Sequence, residues 1–505
     1  MMQTDKLPDN TPILVGSGQV VERGTTADSP MMLASEAARR ALAHAGGEGL
    51  VGAIDTISVT RLFTDSMGMK PCPFGRSDNP PMSVARAIGA APAHCIYGQV
   101  GGNEPLGRLI EFARDIARGE RSVVLLAGAE AIRNQRSAER AGQSLDWSES
   151  FDSGDFPLDD RGWGDLFVTM QELSNGLLAP MTYYALIDQA RAFAAGSTVA
   201  QHRTAMARLL ASLSAVAAAN PYAQFADALT ADDILAAEPL NHLYTKRMVA
   251  QDGVNQGAAV LLCSVGAARR LGIPTEHWVF LHGMAEGADH NLSERADPGR
   301  SAMAEAVLDR TFAMAGKTIA DIDLVEIYSC FACAVSSAAA YLGLPLDGSR
   351  PLTLTGGLPY FGGPGNNYSM HSLAEAVAQL RHSPAAYALV VAMGGILSKH
   401  AAGIYSREPS AVNWAEAQTK LSRDAIPARS IVEAPGAGSI VSYVVSYRGG
   451  APVQAVVLAA TDDGAHFVAN ATDPDTVTAM LGPIPAGQPI LVTPAQKGAL
   501  LFSLA

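Results

Sequence analysis

Glu36-Ala-Ala-Arg-Arg-Ala-Leu-Ala-His-Ala-Gly46 runs on to Ile54-Asp-Thr-Ile-Ser-Val-Thr60, and the pattern returns as Glu305-Ala-Val-Leu-Asp-Arg-Thr-Phe-Ala-Met-Ala-Gly316 followed by Ile322-Asp-Leu-Val-Glu-Ile-Tyr328. Each copy reads as an amphipathic helix closed by a glycine C-cap, then Ile-Asp leading a β-rich run. The two aspartates, Asp55 and Asp323, lie 268 residues apart. Two later signals hold nearly that offset. The turn Gly101-Gly102-Asn103, before a helix over 106–118, is answered by Gly362-Gly363-Pro364-Gly365-Asn366-Asn367 before a helix over 373–381; Asn103 and Asn366 are 263 residues apart. The apolar strand Val123-Val-Leu-Leu-Ala-Gly128 is matched by Leu389-Val-Val-Ala-Met-Gly394, with 266 residues between the final glycines. Any α/β chain alternates helix and strand; the held offset is what predicts duplicated halves.

Outward from the repeat, residues 136–245 differ in character. An acidic, aromatic stretch, Asp146-Trp-Ser-Glu-Ser-Phe-Asp-Ser-Gly-Asp155, extends to Asp165 and is followed by long helices such as 204–220. Such a run is ordinarily a solvated loop; an inserted lid domain is the functional reading. Near the end, short β runs at 439–447, 453–460, 466–470, 490–493 and 500–503, with a helix over 476–481, predict a small β-barrel, OB-like in size. The expected organisation is a first half over 1–135 plus 246–265, an insertion over 136–245, a second half over 266–424 and a barrel over 425–505.

Composition sets outer limits. A chain of 505 residues suggests two to four domains, and 48% apolar against 17% charged residues suits a large core. The balance of 36 basic and 49 acidic residues, without a basic stripe, argues against nucleic acid as a partner. No run approaches the 18 or so apolar residues of a membrane span, and Met1-Met-Gln-Thr-Asp-Lys6 leads into no apolar signal core. Five cysteines (72, 95, 263, 330, 333) make no disulfide framework. A cytoplasmic protein is expected, and Ser503-Leu-Ala505 is a poor peroxisomal address. Gly16-Ser17-Gly18 lacks the third glycine of a dinucleotide fingerprint, and neither a Walker loop nor a Gly-x-Ser-x-Gly elbow occurs.

Together with the duplicated halves and the insertion, Val254-Asn-Gln-Gly-Ala-Ala-Val-Leu-Leu262 and Glu326-Ile-Tyr-Ser-Cys-Phe-Ala332 carry a likeness. Over roughly residues 10–420 the chain resembles the thiolase superfamily, in particular the sterol-carrier-protein-type, thiolase-like proteins of type 1, whose added C-terminal domain corresponds to the terminal barrel. The resemblance implies a five-layer αβαβα fold with an inserted helical loop domain, coenzyme A thioesters as substrates, no bound cofactor or metal, and a monomer or homodimer. It also implies four catalytic positions: a nucleophilic Cys, an activating His, an acid/base Cys, and an Asn or His holding a water. Those positions read Gly101–Leu106 with no Cys, Gly362-Gly363-Pro364 in place of Gly-His-Pro, Ala392-Met393-Gly394 in place of Cys-x-Gly, and Tyr328-Ser329-Cys330-Phe331. Ordinary thiolase chemistry is therefore not expected.

Of the remaining groups Cys330 is the strongest candidate nucleophile. With Ser329 as N-cap of a helix over 330–341, its thiol would face unsatisfied N–H groups and the positive dipole end, lowering its pKa; the alternative is an inert Cys in a packed junction. Cys330-x-x-Cys333 has no second pair, so metal and redox readings are weak. His371 and His400 are candidate bases for a thiolate, or satisfied structural residues. Asn103, Asn366 and Asn367 sit where caps are expected, or would supply oxyanion and substrate contacts. Two functions follow: an acetyl-CoA acetyltransferase-like acyltransferase of lipid metabolism with a rebuilt site, or an inactive acyl-CoA or lipid-binding protein or scaffold whose barrel recruits a partner enzyme.

Overall fold

The computed structural model describes residues 6–66, 70–152 and 154–505. The opening Met1–Asp5 and Ser153 of the acidic run lie outside the described residues. The first half runs β1 (Pro12–Val21), α1 (Pro30–Ala45), α2 (Leu50–Ala53), β2 (Thr56–Val59), α3 (Pro80–Ile88), β3 (His94–Tyr97), α4 (Glu104–Arg118), β4 (Val123–Ala131) and α5 (Ile132–Ala141). The chain then leaves for β5 (Leu158–Asp160), α6 (Met170–Ser174), α7 (Pro180–Ala194), α8 (Val199–Ala219) and α9 (Ala231–Leu235), returning as β6 (Asn255–Ser264). The second half comprises α10 (Val265–Arg270), β7 (Val279–Ala288), α11 (Ala302–Ala315), β8 (Leu324–Ile327), α12 (Ala332–Leu342), α13 (Tyr368–His382), β9 (Tyr387–Gly394), β10 (Lys399–Ser406) and β11 (Lys420–Leu421).

The repeated sequence does the same work twice. Ser29 caps α1 by accepting from Met32 N, and Ser301 caps α11 by accepting from Ala304 N. Gly46 and Gly316 close those helices at φ 69° and 60°, the left-handed conformation a glycine adopts without steric cost. Asp55 Oδ2 accepts from Ser122 N (2.6 Å) and Val123 N (2.9 Å), fixing the start of β4. Asp323 Oδ2 does so for β9 through Ala386 N (2.7 Å) and Tyr387 N (3.2 Å).

Strand order is β5-β3-β2-β4-β6-β1-β7-β10-β9-β8, two mirrored halves that meet where β1 pairs antiparallel with β7 at Ile13–Phe280 and Leu14–Val279. Helices α4 and α13 lie between the half-sheets, and Leu106, Phe112, Met370, Leu373 and Val377 fill that layer. Helices α1 and α3 cover one outer face, α11 and α12 the other, which gives the five-layer αβαβα thiolase-like fold. β5 pairs with β3 and covers the sheet edge there.

The terminal strands β12 (Ala437–Arg448), β13 (Ala451–Ala460) and β14 (His466–Ala471), then α14 (Pro474–Ala479), β15 (Pro489–Pro494) and β16 (Leu500–Leu504), form a closed five-stranded barrel. Tyr443, Val445, Val457 and Phe467 fill its interior, while the alternate residues Val444, Val456, Leu458 and Val468 are buried against the body. The barrel is thus docked on the insertion. His242 N donates to Val445 O (3.0 Å) and accepts through Nδ1 from Val445 N (3.2 Å), and Ser442 Oγ donates to Leu186 O (2.6 Å). Asn175 Oδ1 accepts from both Asn470 Nδ2 and Leu500 N. Among the described residues no helix is long and apolar enough to cross a membrane.

Candidate functional site

Three of the four segments marked by sequence approach one another, joined by Asn366 just beyond the fourth, and they fill their meeting point. Gly101 takes φ +147°, and its N–H donates to Asn366 Oδ1 (2.9 Å). A Cβ on Gly102 would collide with the Tyr328 hydroxyl and stand 2.6 Å from Met393 O. A Cβ on Gly394 would lie 2.9 Å from the Gly101 Cα and 2.6 Å from Asn103 Oδ1. Ser369 Oγ donates to Gly102 O. Beneath this junction the fully buried Glu326 accepts from Thr353, Thr355 and Tyr368 hydroxyls and from the Leu354 and Thr355 amides. No side chain larger than hydrogen fits at Gly102 without displacing Tyr328.

The Cys330 environment corrects the sequence expectation. Helix α12 begins at Ala332, so the thiol stands ahead of the first turn. Ser329 does not cap it; its hydroxyl accepts from Leu358 N (3.1 Å) instead. Burial pushes the Cys330 thiol up to about 12, with the Tyr184 hydroxyl a smaller opposing influence. Tyr184, from α7, stacks on Phe331 at 4.2 Å and accepts from Leu397 N (3.0 Å), so the insertion supplies a cover over this corner. The lowered thiol pKa expected from a helix N-terminus is absent because desolvation outweighs a dipole the sulfur does not face.

Neither histidine hydrogen-bonds Cys330. His371 is fully buried on α13, its Nδ1 2.8 Å from Gln19 Oε1 and its Nε2 without a partner; burial lowers it to about 3. His400 Nε2 lies 2.9 Å from Ser301 Oγ and 3.0 Å from Leu397 O. Ser301 gives its proton to Asp289 Oδ2 (2.5 Å), so Nε2 is the protonated nitrogen of a neutral ring. Burial lowers His400 to about 4 despite the Asp289 charge. Both rings are neutral near pH 7.

The asparagines correct the capping expectation. Asn103 and Asn367 occupy N-cap positions of α4 and α13, but neither side chain makes a cap bond. Asn366 Nδ2 donates to Arg61 O (2.9 Å) and Asn367 Nδ2 to Gly128 O (2.7 Å), tying the second half to the first. Asn103 Oδ1 and Asn367 Oδ1 are buried without hydrogen-bond partners. Among the described residues no three His, Cys, Asp or Glu side chains gather as a metal site requires.

An open cleft lies beside the closed junction. It has a volume of about 500 Å³ and is walled by Asn103 and Glu104 at the head of α4, Glu286 on β7, Lys399 on β10, Phe167 of the insertion, and Lys420 and Arg423 leading to the barrel. Lys399 Nζ donates to Val100 O (2.8 Å). Sequence reasoning passed over Lys399 and Glu286. The available signal was scarcity, since the chain holds seven lysines and one of them precedes His400 in the turn expected to carry the acid/base group.

Comparisons with known proteins agree with this architecture. Residues 285–407 match the family model described as thiolase C-terminal domain-like, and residues 418–497 match the thiolase-like protein type 1 additional C-terminal domain. A crystal structure of a monomeric SCP2-thiolase-like protein type 1 from Mycobacterium smegmatis is 36% identical, with a TM-score of 0.83, covering 99% of this chain and all of that one. An acetyl-CoA acetyltransferase from Syntrophomonas wolfei shares the fold at 16% identity, with a TM-score of 0.56 over 79% of this chain and 100% of that one. Among curated proteins, an acetyl-CoA acetyltransferase from Methanothermobacter thermautotrophicus is 30% identical over 183 residues; the match spans 32% of this chain and 45% of that relative's length.

Proposed function

The chain belongs to the SCP2-thiolase-like proteins of type 1, and from that membership we propose that it binds a coenzyme A thioester without passing the acyl group through a cysteine. The observation that carries this reading is the junction at Gly102. A nucleophile there would need the space taken by Tyr328, and Cys330, the candidate thiol, is a weak acid with no histidine bonded to it. The cleft next to Asn103 is the proposed binding place. Its volume is in the range of small-molecule sites, and Lys420 offers a cation to a phosphate-bearing carrier, with Arg423 beside it paired to Asp165 at 3.1 Å. Five free cysteines suit a reducing compartment, in keeping with a cytoplasmic protein.

Calorimetric titration with coenzyme A and acetoacetyl-CoA tests the proposal. Binding of either, equal in wild type and Cys330→Ala, supports it; absence of heat with both removes it. Acyl transfer lost on Cys330→Ala would instead establish the acyltransferase reading with Cys330 as nucleophile.

A further inference from the structure

We propose that Lys399 and Glu286 form a site that takes a small ketone or aldehyde and holds it as an imine on the lysine. The carbonyl concerned is an oxo group, free or carried, so the inference stands whether or not coenzyme A binds.

Three observations place the two groups on one wall of the same cleft. In the β10–β7 ladder Lys399 pairs with Ala288 and Ala401 with Glu286. Ala288 and Glu286 are two residues apart on one strand, so Lys399 and Glu286 are diagonal neighbours on the same sheet face, where such pairs stand about 7–8 Å apart. That face looks onto α4: Lys399 Nζ reaches Val100 O just ahead of the helix, and a Cβ on Gly107 would stand 3.0 Å from Glu286 Oε2. Both residues wall the same cleft of about 500 Å³.

Burial disfavours the charged form of both groups. Among the described residues Lys399 has no ion-pair partner; its amine donates to one main-chain carbonyl and lies 5.7 Å from the centre of the Phe167 ring. Burial lowers the Lys399 pKa, with Glu104 of α4 and Asp165 of the insertion opposing from a distance. Burial raises that of Glu286, partly offset by Arg108 and Lys420. Two titratable groups pushed towards their neutral forms in one cavity are what amine addition to a carbonyl requires.

The chemistry closes without a further reactant. The Lys399 lone pair attacks the carbonyl carbon, the C=O π pair moves to oxygen, and a proton passes from nitrogen to that oxygen to give a carbinolamine. Glu286 then protonates the hydroxyl, water leaves as the nitrogen lone pair forms C=N, and the nitrogen proton returns to the Glu286 carboxylate. Hydrolysis reverses every step.

Reductive trapping of the full-length protein tests this. Acetone or acetoacetate is added with sodium borohydride at pH 7.5, and labelled lysines are located by peptide mass mapping. A lowered pKa enriches the neutral amine, so Lys399 is expected to label measurably faster than exposed Lys420 and Lys497. Lys399→Arg is expected to remove that label alone, and Glu286→Gln to slow labelling at Lys399 while leaving Lys420 unchanged. The wild-type map decides even if a variant fails to fold. Labelling of Lys399 no faster than Lys420 or Lys497 overturns the site, and an unchanged rate in folded Glu286→Gln overturns the paired acid.

Discussion

At Gly102 a single added methyl group meets two neighbours at once, the Tyr328 hydroxyl and the Met393 carbonyl. Gly102→Ala is expected to lower stability by about 1–3 kcal/mol, the usual cost of overpacking. Adding Tyr328→Phe, which removes the hydroxyl, should recover part of that loss; urea unfolding of the two single variants and the double variant measures the coupling. The covered thiol supports a second expectation. Burial pushes its pKa up, so iodoacetamide should modify Cys330 more slowly than a free thiol. Tyr184→Ala removes the cover and should raise the rate at least tenfold, read by mass mapping; an unchanged rate would show that the tyrosine is not what shields the sulfur.

Among the elements, the duplicated helix–strand unit was legible because its signals are local. The helical spacing and the left-handed glycine act within a few residues, and both recur in the two copies. The barrel strands were equally readable from alternation and turn residues. The junction was not. Its closure depends on Tyr328 meeting Gly102 across the two halves and on Tyr184 arriving from the insertion, contacts that no spacing encodes. Ser329 was misread as a cap for the same reason, since its hydroxyl serves Leu358. The paired aspartates give a prediction at this scale. Asp55→Ala and Asp323→Ala each remove the acceptor of two strand-initiating amides and should destabilise by similar amounts, about 1–3 kcal/mol by denaturant titration.

Across the whole molecule, buried neutral histidines set the acid limit. His44 and His400 are lowered to about 4, His242 and His371 to about 3, in each case chiefly by burial. Unfolded histidine titrates near 6.5, so between that value and the folded pKa values the unfolded chain binds more protons than the native state. The histidine contribution should be intact above about pH 6.5 and fall as pH drops towards 4, while Glu130, raised to about 8 by burial, contributes in the opposite sense between about pH 4.5 and 8. Urea midpoints at pH 7.5 and 5 check the slope, which His371→Gln should make shallower.

Asn175 sits at the end of a short helix in the insertion, yet it accepts a hydrogen bond from Leu500, 325 residues later. On a ribosome working from the N-terminus, that partner emerges 325 residues after Asn175. Through that interval the insertion has one face unfinished and apolar, waiting for the barrel that will cover it. Chains stalled or truncated before residue 437 should be recruited by chaperones or lost to aggregation, whereas full-length chains complete the docking in one late step.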